Sequence, residues 1–119
     1  MSGRVLLALA IGLVGIACRP RTADVPLLRV VSEHSVHGLT LSLVAAPGIR
    51  INARVKPALE LPDGTVLRFD SPRQTPDSAY FTSPPTAVLP ARLSHPQGTL
   101  RASVCQADEL VCRSVMLRL

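Results

Sequence analysis

Eleven prolines, spread between Pro20 and Pro96, constrain this 119-residue chain more than any other feature. Proline lacks a backbone N–H and its ring clashes with the preceding helical turn, so helix interiors exclude it. Few stretches between these prolines are long enough for a helix of several turns. We therefore expect a single domain, because of the chain's length, built of short β-strands joined by turns.

Apolar and polar residues alternate in several of these stretches, as they do in half-buried strands. Leucines alternate with Thr and Ser in residues 39–43, while Ile, Ala and Val alternate with Arg and Asn in residues 49–55. A Pro-Asp-Gly turn leads into a short strand within residues 61–69. Residues 86–93 predict another strand, in which Pro90 indicates an edge or a bulge. About seven such strands in about 100 residues predict an all-β fold, a β-sandwich.

The last two strands also predict how they pair. When residues 99–105 run antiparallel to residues 112–119 with Cys105 facing Cys112, apolar pairs share one side and the cysteines lie on the other. Directly opposed Cβ atoms are about 4.5–5.5 Å apart, so a small adjustment brings the two sulfurs within disulfide range. The register predicts the pairs Leu100–Leu117, Ala102–Val115, Ser103–Ser114, Arg101–Met116 and Val104–Arg113. The residues expected in the core are Leu39, Leu41, Leu43, Ile49, Ile51, Val55, Leu100, Ala102, Val115 and Leu117.

The first 17 residues predict a signal peptide. An uncharged apolar run of 13 residues follows Arg4, a length typical of a signal-peptide core and too short to span a membrane as a helix. The run ends in "VGIAC", which resembles the lipoprotein signal of bacteria, in which the cysteine, here Cys18, is lipidated and becomes the N-terminus. Residues 18–26 then form a tether and residues 27–119 the folded domain. An ordinary secretory signal and an uncleaved anchor are the alternatives.

A lipidated Cys18 also explains the odd number of cysteines. Cys105 and Cys112 are then the remaining two, and an oxidising compartment favours a disulfide between them. Closing so short a loop contributes roughly 2–3 kcal/mol on the chain-entropy model. The predicted location is the cell envelope, lipid-anchored and facing the periplasm, with a secreted or soluble periplasmic protein as the alternative.

Residues around the two cysteines leave their role open between a redox couple, a structural disulfide and a metal site. Arg101 and Arg113 favour a thiolate, whereas Asp108 and Glu109 oppose one. A structural disulfide needs no such tuning. Zinc would need further ligands, but no CxxC or HExxH motif supports a site, so we interpret the histidines as surface residues and predict no metal or cofactor. These histidines are His34, His37 and His95.

Positive charge does not indicate a nucleic-acid partner. The chain has 13 basic and 8 acidic residues, and the basic ones are spread along it. Nucleic-acid binding favours a basic stripe interleaved with stacking aromatic side chains. The chain offers Phe69, Tyr80 and Phe81, which are too few for such a surface.

Two stretches, "GIRINARVKPALELPDGTV" and "GTLRASVCQADELVCRSVMLRL", resemble the N-terminal periplasmic domain of the thiol:disulfide interchange protein DsbD. The resemblance covers about residues 27–119, and the late cysteine hairpin carries most of it. It implies an immunoglobulin-like sandwich in which Cys105 and Cys112 cycle between dithiol and disulfide. It also implies periplasmic or membrane thiol-disulfide proteins as partners, and a loop near Tyr80 and Phe81 that can shield the cysteines.

Two functional hypotheses follow from the sequence. The first is a lipid-anchored protein that exchanges thiols and disulfides through Cys105 and Cys112, in effect a component of a protein-disulfide oxidoreductase. The second is a non-catalytic immunoglobulin-like lipoprotein, with a binding or structural role, in which the same disulfide is a staple.

Overall fold

The computed structural model describes residues 26–93, 95–108 and 111–119. Within these ranges the chain forms eight β-strands and no helix, which confirms the all-β prediction. The predicted signal peptide, Cys18 and residues 18–25 of the predicted tether lie outside the described residues. None of the described ranges contains a helix long and apolar enough to cross a membrane. The strands are β1 (Leu28–Ser35), β2 (Gly38–Ala45), β3 (Ile49–Ile51), β4 (Ala58–Glu60), β5 (Val66–Arg68), β6 (Thr86–Leu89), β7 (Thr99–Gln106) and β8 (Cys112–Arg118).

The strands form two antiparallel sheets. Sheet A has the order β1-β2-β6, and sheet B has β7 as its central strand. One edge of β7 pairs with β3 and, further along, with β4. β4 in turn pairs with β5. The other edge of β7 pairs with β8. Three strands therefore converge on β7, the strand that carries Cys105.

A single apolar core holds the two sheets together. It combines the alternate leucines of β2 with buried residues of β4, β6 and β7, which is the arrangement of a β-sandwich. Phe69, directly after β5, has no exposed surface and is among the largest buried side chains. Six of the ten predicted core residues are buried, and three more pack against the core at its margin. The buried six are Leu39, Leu41, Leu43, Ile51, Leu100 and Ala102, and the marginal three are Ile49, Val115 and Leu117.

Val55, the tenth predicted core residue, is 58% exposed, so that prediction is wrong. The strand predicted over residues 49–55 ends at Ile51. The reason is Asn52, whose side-chain Oδ1 accepts hydrogen bonds from the backbone N–H groups of Arg54 (2.9 Å) and Val55 (3.2 Å). Such an Asx turn bends the chain and ends the alternation, which leaves Val55 on the surface.

Residues 70–86 form a long loop that leads from β5 to the start of β6 and has its own backbone hydrogen bonds. Backbone hydrogen bonds join Asp70 to Thr86 at the base of this loop. Nearer its tip, Gln74 pairs with Phe81. Residues 79–81 also pair with residues 51–53, which extends sheet B beyond β3. This loop therefore brings Tyr80 beside β3, the strand that pairs with β7 at Cys105.

Candidate functional site

The β7–β8 hairpin has the register expected from the sequence. Cys105 is opposite Cys112, and every predicted pair along the two strands is present. The two cysteines form a disulfide, and their Cα atoms are 4.0 Å apart. Leu100 and Ala102 face the core, so the disulfide lies on the opposite, outer side of sheet B. The hairpin therefore confirms the pairing of the cysteines but leaves their chemical role to the surroundings.

The two halves of the disulfide differ in exposure. Cys105 is 2% exposed, because it lies on the central strand between β3 and β8. Cys112 is exposed, because β8 is an edge strand that pairs with β7 alone in the described part of the chain. A reagent arriving from solvent can thus reach Cys112 much more readily than Cys105.

Arg50 is the basic residue on the strand next to the buried half of the disulfide. It is directly opposite Cys105 in the β3–β7 pairing, where Cβ atoms are about 4.5–5.5 Å apart. Its guanidinium carbon lies 5.3 Å from the centre of the Tyr80 ring, a cation–π contact that holds the side chain on the outer side of sheet B. Sequence reasoning missed Arg50, because it is 55 positions from Cys105 and no local pattern reports a pairing between distant strands.

The charged residues expected to favour or oppose a thiolate lie in different places relative to the two cysteines. Arg113 adjoins Cys112 but pairs with Val104, on the core-facing side of the hairpin. Arg101 shares the outer side with Cys105, four residues away, which is about 13 Å along a strand. Asp108 is exposed in the turn between β7 and β8, and Glu109 lies outside the described residues.

The two aromatic residues expected near the cysteines have separate positions. The ring of Tyr80 contacts the guanidinium of Arg50. Tyr80 itself pairs with the residue that follows β3, the strand next to Cys105. Phe81 packs against the core instead, so it does not shield the disulfide.

The histidines do not gather around the cysteines. His34 is exposed on β1 opposite Leu39, and His37 belongs to the turn between β1 and β2 rather than to a strand. Among the described residues, no three His, Cys, Asp or Glu side chains form a group that could hold a metal ion. The cysteines are bonded to each other and are not free as ligands in this state.

Comparison with known proteins gives no family for this chain. No protein-family model matches it, and neither a curated protein nor a solved structure matches it. The chemistry of the site itself is therefore the basis for a function. It offers one disulfide, with one sulfur-bearing residue exposed and the other buried beside an arginine.

Proposed function

We propose that the chain takes part in thiol–disulfide exchange through the Cys105–Cys112 pair. The observation that carries the proposal is the unequal exposure of the two cysteines, 2% for Cys105 and solvent-exposed for Cys112. Exchange needs one sulfur that an incoming thiolate can reach and a second that leaves as a stabilised thiolate. Cys112 fits the first role and Cys105 the second.

The exchange is a two-step transfer between the domain and a partner dithiol. A partner thiolate attacks Sγ of Cys112, the S–S bond breaks, and Sγ of Cys105 leaves with the electron pair. The second partner thiol, once deprotonated, then attacks the partner sulfur of the mixed disulfide and releases Cys112 as a thiolate. The partner ends as a disulfide, and the domain gains two electrons and, on protonation, two protons. The reverse sequence oxidises the domain.

Arg50 supports the leaving role of Cys105. A positive charge beside a thiolate lowers the pKa of the thiol, and a thiol of lower pKa leaves faster. Burial of Cys105 acts in the opposite direction, since it disfavours a charged sulfur. Arg50, opposite Cys105 on β3, is the basic residue placed to offset this cost once its guanidinium leaves the Tyr80 ring, and it would then act as a positioning residue rather than one that reacts.

A structural disulfide is the second candidate, and the position of β8 favours it. β8 is an edge strand, and the bond ties its first residue, Cys112, to the central strand. Without the bond, β8 would depend on its hydrogen bonds to β7 and on the half-buried Val115 and Leu117. A disulfide with this role needs to resist reduction.

The reduction potential of the pair decides between the two candidates. Exchange predicts a potential of about −120 to −270 mV, whereas a structural disulfide lies below about −300 mV. Exchange also predicts trapping: Cys105→Ser leaves the exposed Cys112 free to hold a partner as a mixed disulfide, and Cys112→Ser traps much less because Cys105 is buried. A potential below about −300 mV with no trapped partner from either variant would assign the disulfide a structural role.

The proposal extends to an envelope lipoprotein with a DsbD N-terminal-like domain. Its support is the "VGIAC" stretch, the late cysteine hairpin and the all-β fold. The expected result is incorporation of labelled fatty acid and partition with membranes in a Gram-negative host. Cys18→Ala is expected to abolish the label. Unlabelled, soluble wild-type protein would reject the lipid anchor without affecting the exchange proposal.

A further inference from the structure

The outer side of sheet B, which we call the basic face, carries the disulfide together with four exposed arginines. Strand alternation and register place on it Arg50, Arg68, Arg101 and Arg118. Among the described strands of this sheet, Glu60 is the one acidic residue on that side. It is opposite Thr99, six residues from Cys105 along β7, or about 20 Å away. Arg50 is at the disulfide end of this face, close to the turn that contains Asp108. Arg68 and Arg101 lie about 13 Å from the cysteines along the strands, and Arg118 shares the far row with Glu60.

Two of these arginines flank a small residue. The cross-strand row that contains Ala58 has Arg68 on one side and Arg101 on the other. Neighbouring strands are about 4.8 Å apart, so the two arginines start about 10 Å apart and can converge above the alanine. Within the described ranges neither has an ion-pair partner. Glu60, two residues from Ala58 on the same side of β4, is the acidic residue near this row, and it forms no ion pair with either arginine in the described ranges. An acidic group above Ala58 would thus meet two arginines that have no ion-pair partner.

Lys56, the one lysine of the chain, is two residues from Ala58 and is already paired. Lys56 donates a hydrogen bond from Nζ to Oδ2 of Asp70 at 2.7 Å, and this contact holds the pKa of Asp70 below its usual range. Lys56 thus has an acidic partner within the domain. The arginines supply the charge that remains for a partner.

An apolar groove lies between the arginines and the disulfide. It has a volume of about 360 Å³, and Val55 and Met116 on its walls are 58% and 64% exposed. Its floor includes Ser103 and Ser114, which form the row next to the cysteines. Residues two apart on a strand are about 6.7 Å apart, so a protein that reaches Cys112 across the serine row also covers the near end of the groove.

From this arrangement we infer that the exchange partner is a protein whose reactive thiol is surrounded by acidic side chains, with an apolar side chain that enters the groove. The inference rests on the proposed exchange, since it names the partner of the same disulfide. The partner's thiolate attacks Sγ of Cys112 and Cys105 leaves, as above, while carboxylates of the partner meet Arg101 and Arg68. Charge complementarity of this kind raises association rates and selects against basic partners.

The test measures how fast short cysteine peptides reduce the disulfide in the full chain carrying Cys18→Ser, so that one disulfide is followed. One peptide places glutamates and a leucine around its cysteine, and the other places lysines and the same leucine there. Each rate is divided by the same peptide's rate with a small neutral disulfide, which removes differences in thiol pKa. We expect the acidic peptide to react at least about tenfold faster at low salt, since steering of this kind spans about 10- to 1,000-fold. The preference is expected to fall strongly at about 1 M salt, where the Debye length is about 3 Å.

Matched variants locate the effect on the basic face. The double variant Arg68→Gln and Arg101→Gln is expected to remove most of the preference for the acidic peptide. Arg29→Gln is the control, because Arg29 is an exposed arginine on β1 in the other sheet, and it is expected to leave the preference unchanged. Equal rates for the two peptides, or a preference that survives in the double variant, would overturn the inference.

Failure of the proposed exchange gives a different result. If neither peptide nor a small dithiol reduces the disulfide at potentials above about −300 mV, the exchange fails and the partner surface is tested by binding alone. The probe is then the acidic peptide with serine in place of cysteine. Binding that depends on Arg68 and Arg101 would support an acidic partner for this face even without exchange. Anionic lipid vesicles or a single-stranded oligonucleotide that bind through the same arginines when the peptide does not would reject it.

Discussion

Replacing either cysteine by serine removes the same disulfide, yet we expect the two variants to differ in stability. Cys105 is 2% exposed and Cys112 is exposed. In Cys112→Ser the new hydroxyl reaches water, and the remaining Cys105 behaves as a small apolar side chain. In Cys105→Ser the hydroxyl is buried where the sulfur was.

The expected difference follows from two contributions. Loss of the cross-link between residues seven positions apart removes about 2.5 kcal/mol at most from both variants on the chain-entropy model. A buried hydroxyl without a hydrogen-bond partner adds about 1–3 kcal/mol to the cost of Cys105→Ser alone. The shared contribution cancels in the comparison, so Cys105→Ser is expected to be less stable than Cys112→Ser by about 1–3 kcal/mol.

The measurement is urea unfolding followed by circular dichroism, with every protein in a Cys18→Ser background. Reduced protein with both cysteines is expected to match Cys112→Ser, because neither contains a buried hydroxyl. Ser114→Ala, an exposed position in the next row, serves as the control and is expected to change stability by less than about 0.5 kcal/mol. Equal stabilities for the two cysteine variants would refute the burial argument on which the roles of Cys105 and Cys112 rest.

Three further predictions concern the fold. Phe69→Ala is expected to lower the free energy of unfolding in urea by about 3–5 kcal/mol, because the ring is fully buried. Val66→Ala is the control at a half-exposed site and is expected to lower it much less, by about 0.5 kcal/mol. Gly98→Ala is expected to cost several times more than Gly64→Ala: both have positive φ, but an added Cβ at Gly98 would collide with a backbone carbonyl of β4, and nothing lies near it at Gly64. Similar stabilities for the two glycine variants in thermal unfolding would contradict that geometry. In acid-induced unfolding, the stability is expected to be fully present above about pH 3.8 and to be lost as the pH falls further. The reason is that three aspartate carboxyl groups have a pKa in the folded protein below the ordinary value of 3.8, which they have in the unfolded chain. The causes are a hydrogen bond from the Thr65 backbone for Asp63, from Lys56 for Asp70 and from Thr75 for Asp77.

Local sequence patterns determined the strands that alternate and the hairpin that joins neighbouring strands. β2 contains the alternating stretch of residues 39–43 and extends beyond it to Gly38 and Ala45. The β7–β8 register follows from the requirement that Leu100 and Ala102 share one side while Cys105 meets Cys112. These contacts are close in sequence, so the side-chain period of two fixes them without knowledge of the rest of the chain. The prolines excluded helices for an equally local reason.

Only the tertiary structure decided the features from which we argue the function. Burial of Cys105 and exposure of Cys112 depend on which strand lies at the centre of sheet B and which at its edge. The position of Arg50 opposite Cys105 depends on β3 pairing with β7 across half of the chain. Val55 was predicted to be buried, but the hydrogen bonds of Asn52 turn the chain there and make Val55 a wall of the groove. Alternation tells which residues share a face, but the burial of one common core selects which faces and edges meet, and that selection depends on all strands at once.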